Sequence, residues 1–419
     1  MKNYCKITLY MNMKKMIMAL TVACAALVGL THADNLPYIT KVFDFQPAPG
    51  QFANVFPEYV NGDTKADILK KVEAGICGHI TPADTTVIGG ETVIMPADTV
   101  CEGDLVSLGA YGGYVVFGFD HPIVNVKGNN DFKVLGNAFQ GDGTTSKGGS
   151  SEPGIVMVSK DVNHNGIPDD PWYELAGSEY NNPKTKHDYK IVYYRPNIAK
   201  NWKKDTCSVR WTSNDTDSLN AGKVEKNTFH AQSFWPMWIT DETLTFEGAK
   251  LPCNAYDESG EGTYWVQYFF DYGYADNVPN TSPNAELNLE WAVDENGKKV
   301  ELDQVDFVKV YCAENQMCGW LGETSTEVAG AIDLHPNAKI AGVEEVRQLS
   351  GTRISAYKSY GELVIINSGK PCNATIYSVS GKVVMRVNLC EGRNTVAADK
   401  LGRGVWIIKS ENGSAKFLL

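Results

Sequence analysis

The sequence predicts an all-β protein: a large jelly-roll or β-sandwich body with one short helix, followed by a small C-terminal immunoglobulin-like β-sandwich. Most of the 419 residues lie in short runs in which apolar and polar side chains alternate, a pattern typical of half-buried strands. Gly, Asn, Asp and Pro separate these runs, as expected of turns between strands. Only one segment has the apolar spacing of a helix.

The N-terminal 33 residues are predicted to be a secretory signal peptide. Lys14 and Lys15 precede an almost wholly apolar run over 16–30, and the small-residue end at Ala33 suits cleavage. Met13 is an alternative initiator. Cys24 also permits a lipoprotein reading, but the apolar run continues past it. We therefore expect a secreted or outer-membrane surface protein, with no transmembrane segment in the mature chain.

The charge balance excludes one class of partner. The predicted mature chain carries 34 basic and 50 acidic side chains, a net charge of −16. A strongly acidic chain is a poor nucleic-acid binder, so no nucleic acid is expected as partner.

The body is predicted to span residues 34–340. The helix is expected over 64–74, with Thr64 and Asp67 forming its N-terminal cap and Gly75 ending it. Alternating runs predict strands, among them 114–119, 131–135, 189–194, 263–270 and 305–311.

A calcium loop is predicted at residues 161–170. Oxygen ligands at the spacing of such loops are Asp161, Asn163, Asn165, the Ile167 carbonyl and Asp169, and Gly166 permits the sharp turn. Trp172 stands where a bidentate Glu would complete an EF-hand, so Asp170 or Glu174 would supply the last carboxylate. The alternative is a solvated turn, since Asn, Asp and Gly favour turns without metal.

Small, regular β units fill residues 345–419. The segments Ile376-Tyr-Ser-Val-Ser-Gly-Lys-Val-Val384 and Leu401-Gly-Arg-Gly-Val-Trp-Ile-Ile-Lys409 resemble the C-terminal sorting domain of type IX secretion in Bacteroidetes. That resemblance implies a β-sandwich used for export or surface attachment. An ordinary immunoglobulin-like module is the alternative.

The body resembles a "cell surface protein" family of gut Bacteroidetes associated with vitamin B12 (cobamide) uptake loci. The motifs that carry the resemblance are Pro47-Ala-Pro-Gly-Gln-Phe52, Gly109-Ala-Tyr-Gly-Gly113, Phe119-Asp-His-Pro122, Ser151-Glu-Pro-Gly154, Trp172-Tyr-Glu-Leu-Ala-Gly-Ser178 and Gly319-Trp-Leu-Gly-Glu-Thr-Ser325. It implies a non-enzymatic protein that captures a cobamide, with outer-membrane uptake proteins as partners.

Aromatic side chains in turns are the strongest binding signal in the residues themselves. Trp235, Trp238 and Trp320, with Tyr272 and Tyr274 as weaker candidates, are expected to present rigid rings to a sugar or a corrin. The same rings could instead cap the core, and Trp265 is predicted to be core. His230 is a candidate ligand for cobalt, although a lone histidine is more often structural.

No catalytic motif stands out. The chain has neither Gly-x-Ser-x-Gly nor His-Glu-x-x-His. A glycosidase pair among Glu152, Glu174, Glu261 and Glu290 stays open, so the second function class is a carbohydrate-binding or glycoside hydrolase-like surface protein.

Eight cysteines follow the predicted leader, and an even number in an exported chain predicts disulfides. Nearest-neighbour pairing is expected, first of all Cys372 with Cys390.

Overall fold

The computed structural model describes residues 35–81, 84–88, 91–95, 98–141, 147–217, 219–339, 354–359, 362–378, 381–397, 401 and 404–418. The predicted signal peptide lies outside these residues. The chain divides into two compact units, with the division between residues 340 and 341. This division falls in the segment between the predicted end of the body and the predicted start of the C-terminal module.

The prediction of an all-β fold is confirmed. Strands account for 42% of the structure and helices for 7%, against an average of about 20–25% strand in soluble domains. No helix in the described ranges is long and apolar enough to cross a membrane.

The strands of the body are β1 (Lys41–Gln46), β2 (His79–Thr81), β3 (Asp84–Ile88), β4 (Glu91–Met95), β5 (Asp98–Val100), β6 (Glu102–Ser107), β7 (Tyr114–Gly118), β8 (Ile123–Val124), β9 (Phe132–Leu135), β10 (Phe139–Gln140), β11 (Gly148–Ser150), β12 (Gly154–Ser159), β13 (Trp172–Leu175), β14 (Lys186–Tyr194), β15 (Val209–Ser213), β16 (Ala221–Val224), β17 (Thr243–Lys250), β18 (Ala255–Asp257), β19 (Trp265–Tyr268), β20 (Tyr274–Ala275), β21 (Glu286–Leu287), β22 (Ala292–Val293), β23 (Gln304–Val305), β24 (Phe307–Cys312) and β25 (Glu327–Asp333). Short 3-10 helices span Trp202–Lys204, Pro283–Ala285, Leu289–Trp291 and Gly319–Leu321.

The one α-helix in the described residues, α1 (Lys65–Ile76), begins as predicted. Thr64 accepts the Asp67 backbone N–H, and the Asp67 carboxylate accepts the Thr64 N–H, so both halves of the capping box are present. The prediction that Gly75 ends the helix was wrong. The helix continues to Ile76, whose side chain is fully buried in the core.

A seven-stranded antiparallel sheet forms the centre of the body, in the order β1-β7-β24-β12-β13-β22 with β20 beside β12. Its two faces bury different cores because successive side chains in a strand point to opposite sides. Val156 and Val158 pack with α1 and the sheet β21-β9-β25-β6. Ile155 packs on the other face with the sheet β16-β15-β14-β17.

A third four-stranded sheet, β10-β11-β19-β18, is built from short strands. Gly148 and Gly149 of β11 pair with Tyr268 and Gln267 of β19. A Cβ on Gly149 would approach the Phe139 carbonyl oxygen to 2.3 Å, so glycine is required where β10 and β11 meet this closely. This sheet supports the candidate site described below.

The C-terminal unit contains β26 (Ile354–Ser359), β27 (Glu362–Asn367), β28 (Cys372–Ser378), β29 (Val383–Leu389), β30 (Gly392–Ala397), β31 (Val405–Ser410) and β32 (Gly413–Leu418). They form the sheets β26-β27-β30 and β29-β28-β31-β32, which enclose their own apolar core.

The described cysteines form none of the predicted disulfides with one another. The strand register explains why the predicted disulfide between Cys372 and Cys390 does not form. Cys372 lies opposite Leu389, and both are buried. Cys390, the next residue, is exposed, as expected when consecutive side chains alternate in direction.

Candidate functional site

The candidate site is an open cleft of about 680 Å³ in the body, within the range of about 300–1,000 Å³ typical of small-molecule sites. We call it the aromatic cleft. Its exposed apolar rim consists of Phe139, Phe229, Tyr264, Trp320 and Leu321, and its floor consists of the carboxyl groups of Glu152, Glu323 and Glu327. The remaining lining residues form its walls: Gln51, Phe52, Asn137, Gly141, Gly149, Ser150, His230, Trp265, Val266, Gln267 and Cys318.

The rim is assembled from distant parts of the chain. Phe139 belongs to β10, Tyr264 directly precedes β19, and Trp320 lies in the 3-10 helix at 319–321. The rings of Phe229 and Trp320 lie 6.0 Å apart, centroid to centroid. All five rim side chains are 41–66% exposed, so their apolar surfaces are available to a ligand.

Three acidic side chains converge beside the floor. Oxygen atoms of Glu152, Asp276 and Glu327, one from each, lie within 4.8 Å of one another. Glu152 lies two residues before β12, Asp276 follows β20, and Glu327 is the first residue of β25. Glu152 and Glu327 line the cleft itself.

Backbone groups hold Asp276 in place. Its Oδ1 accepts the N–H groups of Asn137 and Ala138, each at 2.8 Å, and its Oδ2 accepts the Glu327 N–H at 2.9 Å. Its own backbone is left-handed, with φ of 51°, a conformation that Asp tolerates better than most residues. The side chain is therefore fixed by the fold.

Hydrogen-bond donors also orient the two glutamates. The Ser325 hydroxyl donates to Glu327 Oε1 at 2.6 Å, and the Ser325 N–H reaches Glu152 Oε1 at 3.3 Å. Gln267 Nε2 donates to Glu152 Oε1 at 3.4 Å. Among the described residues, no lysine, arginine or histidine forms a salt bridge with any of these acids.

Burial dominates the electrostatics of this group. It raises the pKa values of Glu152 and Asp276 well above their ordinary range, and the neighbouring Glu327 charge raises them further. Burial raises the pKa of Glu327 as well, while side-chain hydrogen bonds with Ser325, Glu152, Ser107 and Asn137 oppose the shift. The group therefore favours a compensating positive charge, supplied by protons or by a cation.

Two further polar atoms in the cleft have no hydrogen-bond partner in the described part of the protein. Glu323 accepts the Gln51 N–H through Oε1 at 2.5 Å, whereas its Oε2 is buried and unpartnered. Burial raises the pKa of Glu323 to about 8. The buried Trp265 Nε1 likewise has no acceptor. Such atoms are costly unless an outside group satisfies them.

The structure brings two of the predicted binding residues into the cleft. Trp320 is half exposed on the rim. His230 lines the wall, and its ring packs edge-on against Phe52 at 4.7 Å. Trp265, predicted to be core, also lines the cleft, so that prediction was wrong.

The other predicted rings lie elsewhere. Trp235 is fully buried, with Nε1 donating to the Ile239 carbonyl at 3.0 Å, and Tyr274 is 1% exposed, with its hydroxyl accepting the Glu179 N–H. Neither presents a face to a ligand, which corrects both assignments. Trp238 is half-buried between the two body cores, and Tyr272 packs on Trp291 at 4.9 Å away from the cleft.

The side chains of the predicted calcium loop turn inward on one another. Asp161 accepts the N–H groups of Asn165 and Gly166 at 3.0 and 2.8 Å, and Asn163 Oδ1 also accepts the Asn165 N–H. The side-chain amides of Asn163 and Asn165 donate to Asp169.

Other contacts of the loop differ from the predicted ligand arrangement. The Ile167 carbonyl accepts the Asp169 N–H at 2.8 Å, and Asp170 accepts the Val162 N–H at 3.0 Å. Asp306 accepts the Asp161 N–H at 2.8 Å and is a carboxylate that sequence spacing did not reveal.

Sequence reasoning missed Phe139, Phe229 and Tyr264. Phe139 and Phe229 lie among polar or turn-forming neighbours, as in Lys226-Asn-Thr-Phe-His230, and Tyr264 directly follows the run Gly260-Glu-Gly-Thr263. A ring within or next to such a run is the signal that could have identified them. Of the four glutamates considered for catalysis, Glu152 lies in the cleft and Glu174, Glu261 and Glu290 do not.

Comparison with known proteins adds no assignment: no family model matches the chain, and no curated protein matches it.

Proposed function

We propose that the body is a non-enzymatic binding protein that captures a small organic ligand in the aromatic cleft. One observation carries this proposal: five of the thirteen large apolar side chains that are exposed in the described residues line this one cleft. Exposed apolar groups scattered singly need no explanation, whereas a cluster in a concave site marks an interaction surface.

The floor complements ligands that carry many hydrogen-bond donors. Glu323 Oε2 and the oxygens of Glu152 and Glu327 offer acceptors beneath stacking rings. A cobamide combines a broad apolar macrocycle with peripheral amide N–H groups, and the resemblance to the family of vitamin B12 loci favours this ligand. On this proposal the protein acts in the secreted or outer-membrane location expected from its leader, handing the ligand to outer-membrane uptake proteins.

His230 offers a further contact to a cobamide. Burial, and then the nearby Lys226 charge, lower the pKa of its imidazole, so the ring is neutral at neutral pH. Neutral imidazole is the form that binds metals. We expect a change in the visible absorption of aquocobalamin on binding, and its loss in His230→Ala.

A glycan is the second candidate, because hydroxyl groups suit the same acceptors and pyranose faces stack on aromatic rings. Binding is favoured over hydrolysis because, of the four glutamates considered for catalysis, Glu174, Glu261 and Glu290 lie outside the cleft and leave Glu152 without a partner from that set.

Isothermal titration of the protein with cyanocobalamin, and with glucose-, mannose- and xylose-based hexasaccharides, tests the proposal. We expect saturable binding of the cobamide and no release of reducing sugar from any glycan. Binding of a hexasaccharide alone transfers the assignment to the second candidate. Absence of binding by all four probes contradicts both, and turnover of a glycan contradicts a non-enzymatic role.

We also propose that the 161–170 loop binds calcium as a structural ion. The inward-facing oxygens of Asp161, Asn163 and Asp169 support it, together with the additional carboxylate of Asp306 beside Asp161.

A further inference from the structure

The acidic group beside the cleft floor has the dimensions of an oxygen-donor cation site. Oxygens of Glu152, Asp276 and Glu327 lie within 4.8 Å of one another. Calcium binds oxygens at 2.3–2.6 Å, so two ligands of one ion are separated by at most about 4.6–5.2 Å. The three side chains are therefore close enough for small side-chain movements to bring them to a shared ion of this size.

The chemistry of the surroundings fits the same ion. The Ser325 hydroxyl contacts Glu327 at 2.6 Å and the Ser107 hydroxyl at 2.6 Å, which adds neutral oxygens to the three carboxyl groups. A hard cation such as calcium takes six to eight oxygen ligands, whereas the thiolate and imidazole ligands typical of zinc are absent from this group of donors.

An independent observation points to a missing partner in the same cleft. Glu323 is 3% exposed and lines the same cleft, and its Oε2 has no hydrogen-bond partner in the described residues. The charge of Glu327 acts on it, so the two carboxyl groups are electrostatic neighbours. A buried polar atom with no partner from the protein calls for one from outside.

We propose that Glu152, Asp276 and Glu327 bind a Ca²⁺ ion at the floor of the aromatic cleft, separate from the ion proposed for the 161–170 loop. Asp276 is the anchoring ligand because backbone N–H groups fix its carboxylate. Glu152 is the least buried of the three and gives the ion its access to the cleft. Remaining coordination positions then face the cleft, where water or an oxygen of the ligand occupies them.

The role of this ion in capturing a ligand rests on the proposed function, but its binding is tested with the metal alone, so the two can fail separately. The full chain carrying Asp161→Asn and Asp169→Asn, which disables the loop, is stripped of metal and titrated with CaCl₂ by calorimetry. We expect this protein to bind one equivalent of Ca²⁺. Addition of Glu327→Gln should abolish the binding, and Glu152→Gln provides the same reading if Glu327→Gln does not fold.

Glu174→Gln in the same background is the matched control, since Glu174 is another glutamate whose pKa burial raises, in β13 and outside the cleft. It should leave the equivalent of Ca²⁺ in place. The proposal is overturned if the loop-disabled protein binds no Ca²⁺, because the carboxyl groups are then compensated by protons. Retention of the ion in folded Glu327→Gln and Glu152→Gln proteins also overturns it.

Discussion

Glu323 illustrates how strongly the cleft perturbs a single side chain. It is almost fully buried, one oxygen is unpartnered, and burial raises its pKa to about 8. A glutamic acid in the unfolded chain titrates near 4.5. Between these two values the folded protein holds a proton that the unfolded chain has lost, so the contribution of Glu323 to the free energy of unfolding falls as pH rises.

We predict that Glu323→Gln removes this dependence in chelator-treated protein. The pKa difference corresponds to on the order of 5 kcal/mol, accumulated between about pH 4.5 and pH 8. The variant should match the natural protein near pH 4.5 and be progressively more stable toward pH 8, as measured by thermal melting. Glu261→Gln, at an exposed glutamate, is the control. A pH-independent difference between Glu323→Gln and the natural protein would contradict the assignment.

Single residues also show the limit of sequence reasoning about rings. Trp235 and Trp320 are both tryptophans in turn-rich segments, yet one is fully buried and the other half exposed. Trp235 packs in the second body core beneath segments far away in the sequence. The spacing of residues near a tryptophan cannot show whether its ring is buried or exposed, because the strands that cover the ring are distant in the sequence.

At the scale of elements, local signals succeeded where local chemistry decides the outcome. The α1 cap follows from Thr64 and Asp67, three residues apart, and is present. The end of α1 does not follow from Gly75, because burial of Ile76 in the core extends the helix by a residue. The strand predicted over 305–311 is divided into β23 and β24 at Asp306, whose N–H bonds to Ser159.

The 161–170 loop is an element whose ion-binding role can be measured directly. Gly166 adopts the left-handed conformation that the spacing of the loop requires, with φ of 71°. The side-chain oxygens of the loop are close together, but those of Asp161 and Asn165 already accept hydrogen bonds from backbone N–H groups within the loop. A calcium ion that binds the folded loop alone would compete with these bonds and stabilise the native state.

We predict that calcium raises the melting temperature of the protein carrying Glu327→Gln, in which only the loop site remains. A ligand at a hundredfold excess over its dissociation constant stabilises the native state by about 2.7 kcal/mol. A chelator should reverse the shift, and Asp161→Asn in the same background should abolish it. An unchanged melting temperature in folded, metal-stripped protein would show that the segment is a solvated turn.

At the scale of the molecule, two separately cored units account for the described fold. The two apolar cores of the body contain no residue beyond 340, and the third core contains only residues from 354 onward. The β character of both units follows from alternating runs and turns in the sequence. The position of the cleft could not be predicted from the sequence, because the cleft brings together side chains near residues 52, 139, 229, 264 and 320. No short-range sequence pattern relates these positions.

We predict that a chain ending at residue 340 retains a folded body. No core residue is removed, so its thermal transition and its ligand binding should match those of the body in the full chain. Differential scanning calorimetry and titration with cyanocobalamin check this expectation. Aggregation of the shortened chain, or loss of a binding activity that the full chain shows, would place the boundary elsewhere.

The central claim is that the aromatic cleft is the ligand-binding site, and titration of two single-ring variants tests it most directly. Trp320 lies on the cleft rim, whereas Tyr272 is an exposed ring outside it. Using whichever of cyanocobalamin or the hexasaccharides binds, we predict that Trp320→Ala weakens binding by about 2 kcal/mol or more, roughly thirtyfold, as loss of a central aromatic anchor does. Tyr272→Ala should bind as the natural protein does. Unchanged binding by folded Trp320→Ala, or an equal loss in both variants, would contradict the assignment of the cleft.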